Sequence, residues 1–157
     1  MGTPPLLADK EARFLQALVE EGVEFLVVGL AAAALQGAPA ATQAIDLWFR
    51  DLSDPALPRA LRRVGALYIP PSSQNPPLIA GGDAGLFDVV VNMDGLGSFA
   101  QEARRALRIP IGSVVVRVLP LARVIASKKA THRPKDRAIL PALEDALRVL
   151  QSRKRPR

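Results

Sequence analysis

Cysteine is absent from the 157-residue chain, which excludes disulfide scaffolds and thiolate metal sites. With His132 as the one histidine, zinc centres lack their ligands and no Ser-His-Asp set has a supporting spacing. Aromatic residues make up only 4% of the sequence, so Leu, Val, Ile and Ala must build the core. No stretch approaches the roughly eighteen uninterrupted apolar residues of a membrane span, so no membrane partner is expected. The opening MGTPPLLADKEARF lacks the basic-then-apolar plan of a signal peptide, and the expected location is the cytoplasm.

What is present fits one globular domain. Apolar residues reach 49%, and the length suffices to bury a core. The net charge of +6 is unevenly spread. From Arg123 onward there are 11 Lys and Arg against 3 Asp and Glu (+8), while residues 1–122 hold 10 against 12 (−2). A basic last third beside a mildly acidic body suits a polyanionic partner such as RNA or a nucleotide's phosphates, or is simply a solvated helix face with a basic tail.

Apolar Phe14, Leu15, Leu18 and Val19 predict a first amphipathic helix, with Asp9 placed to cap it. EFLVVG reads as a strand buried on both faces, AAAALQG as a short helix ended by Gly37, and IDLWF as the next strand. A third helix follows, capped by Ser53 or Asp54 with Pro55 in its first turn. Residues 69–85 read as a Pro/Gly/Ser-rich loop, LFDVVVNM as a strand, GSFAQEARRAL as a helix and GSVVVRVLP as a strand. LARVIASKKATH and KDRAILPALEDALRVLQ are two closing helices broken at Arg133-Pro134. The alternation predicts a single α/β domain over residues 1–150, a mixed sheet flanked by helices, and a disordered basic tail over 151–157.

Two strands carry one acid each. With period two, Ile45, Leu47 and Phe49 face the core while Ala44, Asp46 and Trp48 share the other face. Phe87, Val89 and Val91 likewise oppose Asp88, Val90 and Asn92. A carboxylate in such company is costly unless it is paired, solvated in a cleft or bound to a cation. Either each acid meets a Lys or Arg from a closing helix, or neighbouring strands bring both to one site. Trp48 is open to base stacking or to packing, and His132 to nucleotide contact or to solvent.

The series FLVVG, helix, ATQAIDLWF, LFDVVV resembles the nucleotidyltransferase fold of the DNA polymerase β superfamily. It is most similar to bacterial minimal nucleotidyltransferases and abortive-infection toxin enzymes. In that superfamily a strand ends in Gly-Gly or Gly-Ser at a helix start, the next strand carries Asp-x-Asp or Asp-x-Glu, and a later strand adds a third acid. The three acids hold two divalent cations that align a nucleotide's phosphates with an attacking hydroxyl. The segment from Lys128 through Arg133-Pro-Lys135-Asp136 is similar to a pattern of the same branch, and the likeness spans roughly residues 12–147.

The resemblance implies catalytic and metal-holding roles for Asp46 and Asp88, with Mg²⁺ as cofactor and an NTP as substrate. It implies nucleotide-side positions for Gly29, Lys128, Arg133, Lys135 and Asp136. The departures fall on the chemistry: the first metal acid corresponds to Ala44, and the small or hydroxyl residue after Gly29 is Leu30. The expected function is therefore transfer of a nucleoside monophosphate to an RNA or protein hydroxyl, toxin-like and held by a cognate antitoxin. With the metal site incomplete, that transfer is expected to be weak or absent. The alternative is a non-catalytic pseudoenzyme that binds nucleotide, RNA or a partner protein.

Overall fold

The structure is a computed structural model and describes residues 9–40, 44–82 and 85–154. Its centre is a five-stranded mixed sheet in the order β5 (Phe87–Val90), β2 (Ile45–Phe49), β1 (Phe25–Val28), β7 (Val114–Val118), β6 (Leu107–Ile111). The chain enters through α1 (Asp9–Glu20) and crosses the sheet in β1 (Phe25–Val28), whose four residues are all buried. Helix α2 (Gly29–Leu35) then leads to β2 (Ile45–Phe49), which returns antiparallel to β1. After α3 (Ala56–Arg63) come β5 (Phe87–Val90), parallel to β2, and the short α4 (Phe99–Ala103). The hairpin of β6 (Leu107–Ile111) and β7 (Val114–Val118) completes the sheet, with β7 parallel to β1. Helices α5 (Leu121–Thr131) and α6 (Pro134–Lys154) pack on each other.

Helices cover both sheet faces because both faces carry large apolar side chains. On the face of Ile45, Leu47 and Phe87, Phe14 of α1 stacks against Phe87 with ring centroids 4.3 Å apart. On the opposite face Trp48 meets Phe99 of α4 edge-on at 5.5 Å. Trp48 is therefore a packing residue, only 7% exposed and not open to a base. Gln36 joins α2 to the start of α5: its amide nitrogen donates to the Leu119 carbonyl (2.8 Å), and its oxygen accepts from the Leu121 N–H (2.8 Å).

Several elements differ from the expected pattern. A two-stranded sheet pairs β3 (Leu67–Ile69), at the start of the region expected to be loop, with β4 (Leu78–Ala80), inside that region. Three-residue strands are too short for period two to reveal. The helix expected to run to Leu107 stops at Ala103, and Leu107 opens β6 instead. Pro110 is tolerated there because β6 is an edge strand with one paired side. Val19 lies 38% exposed rather than in the core, which α1 reaches through Phe14, Leu15 and Leu18. At α3, Asp54 accepts the Ala56 N–H (2.9 Å), whereas Ser53 donates its hydroxyl to Asp51 (2.6 Å). The tail expected from residue 151 is helical through Lys154, because α6 simply continues, and residues 155–157 lie outside the described residues.

Candidate active site

The site forms where β1 hands over to α2. Val28 is the register partner of Asp46, and Asp46 is in turn the partner of Asp88 on the parallel neighbour β5. Partners in register project to the same side of a sheet, so the two carboxylates are brought together. Asp46 is half-buried, while Asp88 is exposed on the edge strand. Burial pushes the Asp46 carboxyl above its ordinary range, and the charge of Asp88 adds to the rise. Lys128, Lys135 and Arg133 pull in the opposite direction without cancelling it.

Gly29 opens α2 in the left-handed region (φ +65°), and a Cβ there would lie 2.8 Å from Asp46 Oδ2. The space that glycine leaves is thus occupied by the Asp46 carboxylate. An L-residue at that φ costs about 1–2 kcal/mol, and the added methyl must also displace the acid. Gly29→Ala is expected to lower unfolding free energy by at least that amount in a urea titration. It should also remove any cation dependence that Asp46 confers; full stability would mean that the turn relaxes.

A cavity of about 460 Å³ opens over this corner. Val28, Gly29 and Asp46 line it from the sheet, Asn92 and Asp94 from the loop after β5, and Lys128, Thr131 and Arg133 from α5 and the α5–α6 turn. Gly95 (φ +77°) lets that loop close on α5, where a Cβ would meet the Ala130 side chain at 2.6 Å. Lys135 is exposed in the first turn of α6, and its charge reaches Asp46. His132 is exposed in the turn. Asp136 is buried behind the wall, 1% exposed, and accepts hydrogen bonds from Thr131 and Arg133. These partners hold its carboxyl far below the ordinary range, the Arg133 hydrogen bond first among them.

Asp94 and Thr131 were not anticipated. Asp94 lies beyond β5 in the turn closed by the Leu96 N–H on the Met93 carbonyl (3.3 Å), where a period-two reading no longer applies, although an acid in a turn after an acid-bearing strand is the available signal. Thr131 is recognisable only as a donor to Asp136, five positions on. Among the described residues, no group of three or more His, Cys, Asp or Glu is arranged to hold a metal ion.

Solved structures share this architecture over nearly the whole chain. A crystal structure of ANT(2'')-Ia in complex with adenylyl-2''-tobramycin matches with a TM-score of 0.58 at 18% identity, covering 92% of this chain and 96% of that one. A solution structure of the antibiotic-resistance factor ANT(2'')-Ia matches at 0.57 and 16% identity, covering 92% and 90%. The chain has a nucleotidyltransferase fold. No family profile and no curated protein matches the sequence. Among the described residues no helix is long and apolar enough to cross a membrane.

Proposed function

We propose that this protein moves a nucleoside monophosphate from an NTP to a hydroxyl, slowly, through a site that holds fewer cations than the chemistry uses at full rate. The observation that carries this reading is the register pairing of Asp46 with Asp88 beside a cavity walled by Lys128 and Arg133. Two carboxylates suit one hard cation that keeps most of its waters, as Mg²⁺ does. Ala44, two residues before Asp46, supplies no ligand atom to its side chain's face. The donor set thus fits one ion and does not fit a bridged pair. A single bound Mg²⁺ would neutralise charge developing on the phosphates.

The remaining work falls to the chain itself. Lys128, Arg133 and Lys135 counter the triphosphate's negative charge. Lys128, only 16% exposed, is the least screened by bulk water of the three, whereas Arg133 and Lys135 are exposed. The cavity volume falls within the range of small-molecule and cofactor sites, about 300–1,000 Å³. The basic last third favours an RNA hydroxyl as acceptor, with a protein hydroxyl as the other macromolecular arm. The adenylylated antibiotic of the ANT(2'')-Ia complex makes a small-molecule hydroxyl the competing arm. Ala44 favours a second reading, nucleotide or RNA binding without transfer.

Thermal unfolding titrated with each of the four NTPs, with and without Mg²⁺, tests the reading. A ligand at about a hundred times its Kd adds roughly 2.7 kcal/mol. In a domain of this size that is a rise of about 5–10 °C. At least one NTP should give a Mg²⁺-dependent rise. Mass analysis of RNA, protein and small-molecule acceptors then reports which hydroxyl gains the nucleotide, and binding without any adduct selects the second reading. Silence with all four nucleotides would remove the nucleotide-binding reading altogether.

A further inference from the structure

The turn between α5 and α6 is organised around one buried carboxylate. Asp136 Oδ2 accepts from the Thr131 hydroxyl (2.6 Å), the Arg133 backbone N–H (3.0 Å) and Arg133 Nε (2.9 Å). Its Oδ1 accepts from Arg133 Nη2 (3.4 Å) and lies 3.4 Å from Lys128 Nζ. Between the two pinned flanks, Thr131 and Arg133, His132 adopts φ 50°. Among the described residues it is the one non-glycine with positive φ. An L-residue stays in that region only where its surroundings over-determine it. Here the surroundings are the bonds from both neighbours to Asp136.

We infer that Asp136 is a positioning residue: from behind the cavity wall it aims the Arg133 guanidinium and the Lys128 ammonium at the triphosphate tail of a bound nucleotide. Arg133 is 53% exposed and lines the cavity, whereas Asp136 is 1% exposed beneath it. Of the five guanidinium N–H donors, the bonds to Asp136 engage those of Nε and one of Nη2, and three remain for a ligand. Fixing the fork in advance removes the ordering cost that a free arginine side chain pays on binding phosphate. The opposing effect is that a buried negative charge nearby subtracts from the attraction, so the sign of an Asp136 substitution separates aiming from mere neutralisation. As a helix cap alone, Asp136 would stabilise α6 and leave anion affinity unchanged.

This inference rests on the nucleotide-binding reading above, and the test keeps the two apart. Affinity for inorganic tripolyphosphate and for an NTP is measured calorimetrically on the full chain, Asp136→Asn, Arg133→Gln and the double variant. Asn keeps an oxygen to accept the Arg133 backbone N–H, and ligand-free circular dichroism monitors the fold. Asp136→Asn is expected to weaken tripolyphosphate about tenfold, Arg133→Gln by a similar factor, and the pair by no more than either alone. Arg133→Lys keeps the charge but loses the Nε–H held by Asp136. It should lose affinity as Arg133→Gln does, and it serves if Asp136→Asn does not fold. Unchanged or tighter binding in Asp136→Asn, strictly additive losses, or full affinity in Arg133→Lys would overturn the positioning role alone. An unsubstituted chain that binds neither tripolyphosphate nor NTP overturns the nucleotide reading and this inference with it.

Discussion

Ala44→Asp is expected to raise nucleotidyl transfer by about three orders of magnitude, and to make the protein's stability depend on Mg²⁺ and NTP together. Position 44 lies two residues before Asp46 and one before the first residue of β2, so the strand's alternation carried back one step would project its Cβ to the side of Asp46. A carboxylate added there would join Asp46 and Asp88 as a third donor on one face, the number needed to hold two ions. A second ion contributes several kcal/mol of charge stabilisation in the transition state. At about 1.4 kcal/mol per factor of ten, about 4 kcal/mol corresponds to about a thousandfold in rate. Without cation the variant should be less stable than its parent, because a third acid joins a pair in which burial and repulsion already raise the Asp46 pKa. Mg²⁺ with NTP should reverse that loss, seen as a larger melting shift in the variant than in the parent. Single-turnover transfer measured beside the melts reads the rate. An Ala44→Asp protein that folds, gains no Mg²⁺-dependent shift and transfers no faster would mean that Ala44 is not the missing ligand position.

The parts of this site that follow a strand's period were legible in advance, and the parts that depend on where loops fold were not. Alternation put Asp46 and Asp88 away from the heaviest packing, and their pairing depended only on β2 and β5 being neighbours, which they are. Sequence could not tell which elements would cover that face. Trp48 shares it with Asp46, yet α4 lands on the indole and turns a possible stacking platform into core. The resemblance places Gly29, which follows β1, on the nucleotide side. A Cβ at that position would run into the Asp46 carboxylate, seventeen positions later, a closeness fixed by the β1–β2 register. The resemblance gives Asp136 the same nucleotide-side position as the basic residues around it in sequence. Burial separates them: the carboxylate lies inside, and Arg133 and Lys128 face the cavity. The short strands β3 and β4 carry no pattern of their own and exist through pairing with each other.

Asp46→Asn should abolish any Mg²⁺-dependent response and at the same time make the unliganded protein more stable at neutral pH. The two effects have one origin. Asp46 is desolvated and lies beside Asp88, so its carboxyl holds its proton more tightly in the folded protein than in the unfolded chain. For an acid shifted upward, the native state binds more protons than the unfolded state between the ordinary carboxylate value and the raised one. Stability therefore falls as pH rises through that window, and the cost persists above it. Asparagine removes the charge and the cost, and relieving a functional-site residue in this way commonly returns about 0.5–2 kcal/mol. The advantage of the variant should shrink as pH falls toward the ordinary carboxylate range, where Asp46 of the parent is itself protonated. Asp136 and Glu102 are shifted downward by their arginine partners, so both proteins lose stability together as pH falls below the ordinary range. That loss cancels in the difference between them. Paired melts from pH 4 to pH 8 isolate Asp46, and the expected signature is a gap that widens with rising pH. A variant less stable than its parent at pH 7 would show that the charged carboxylate holds the fold together, and the case for Asp46 as a cation ligand kept at a cost to stability would fail.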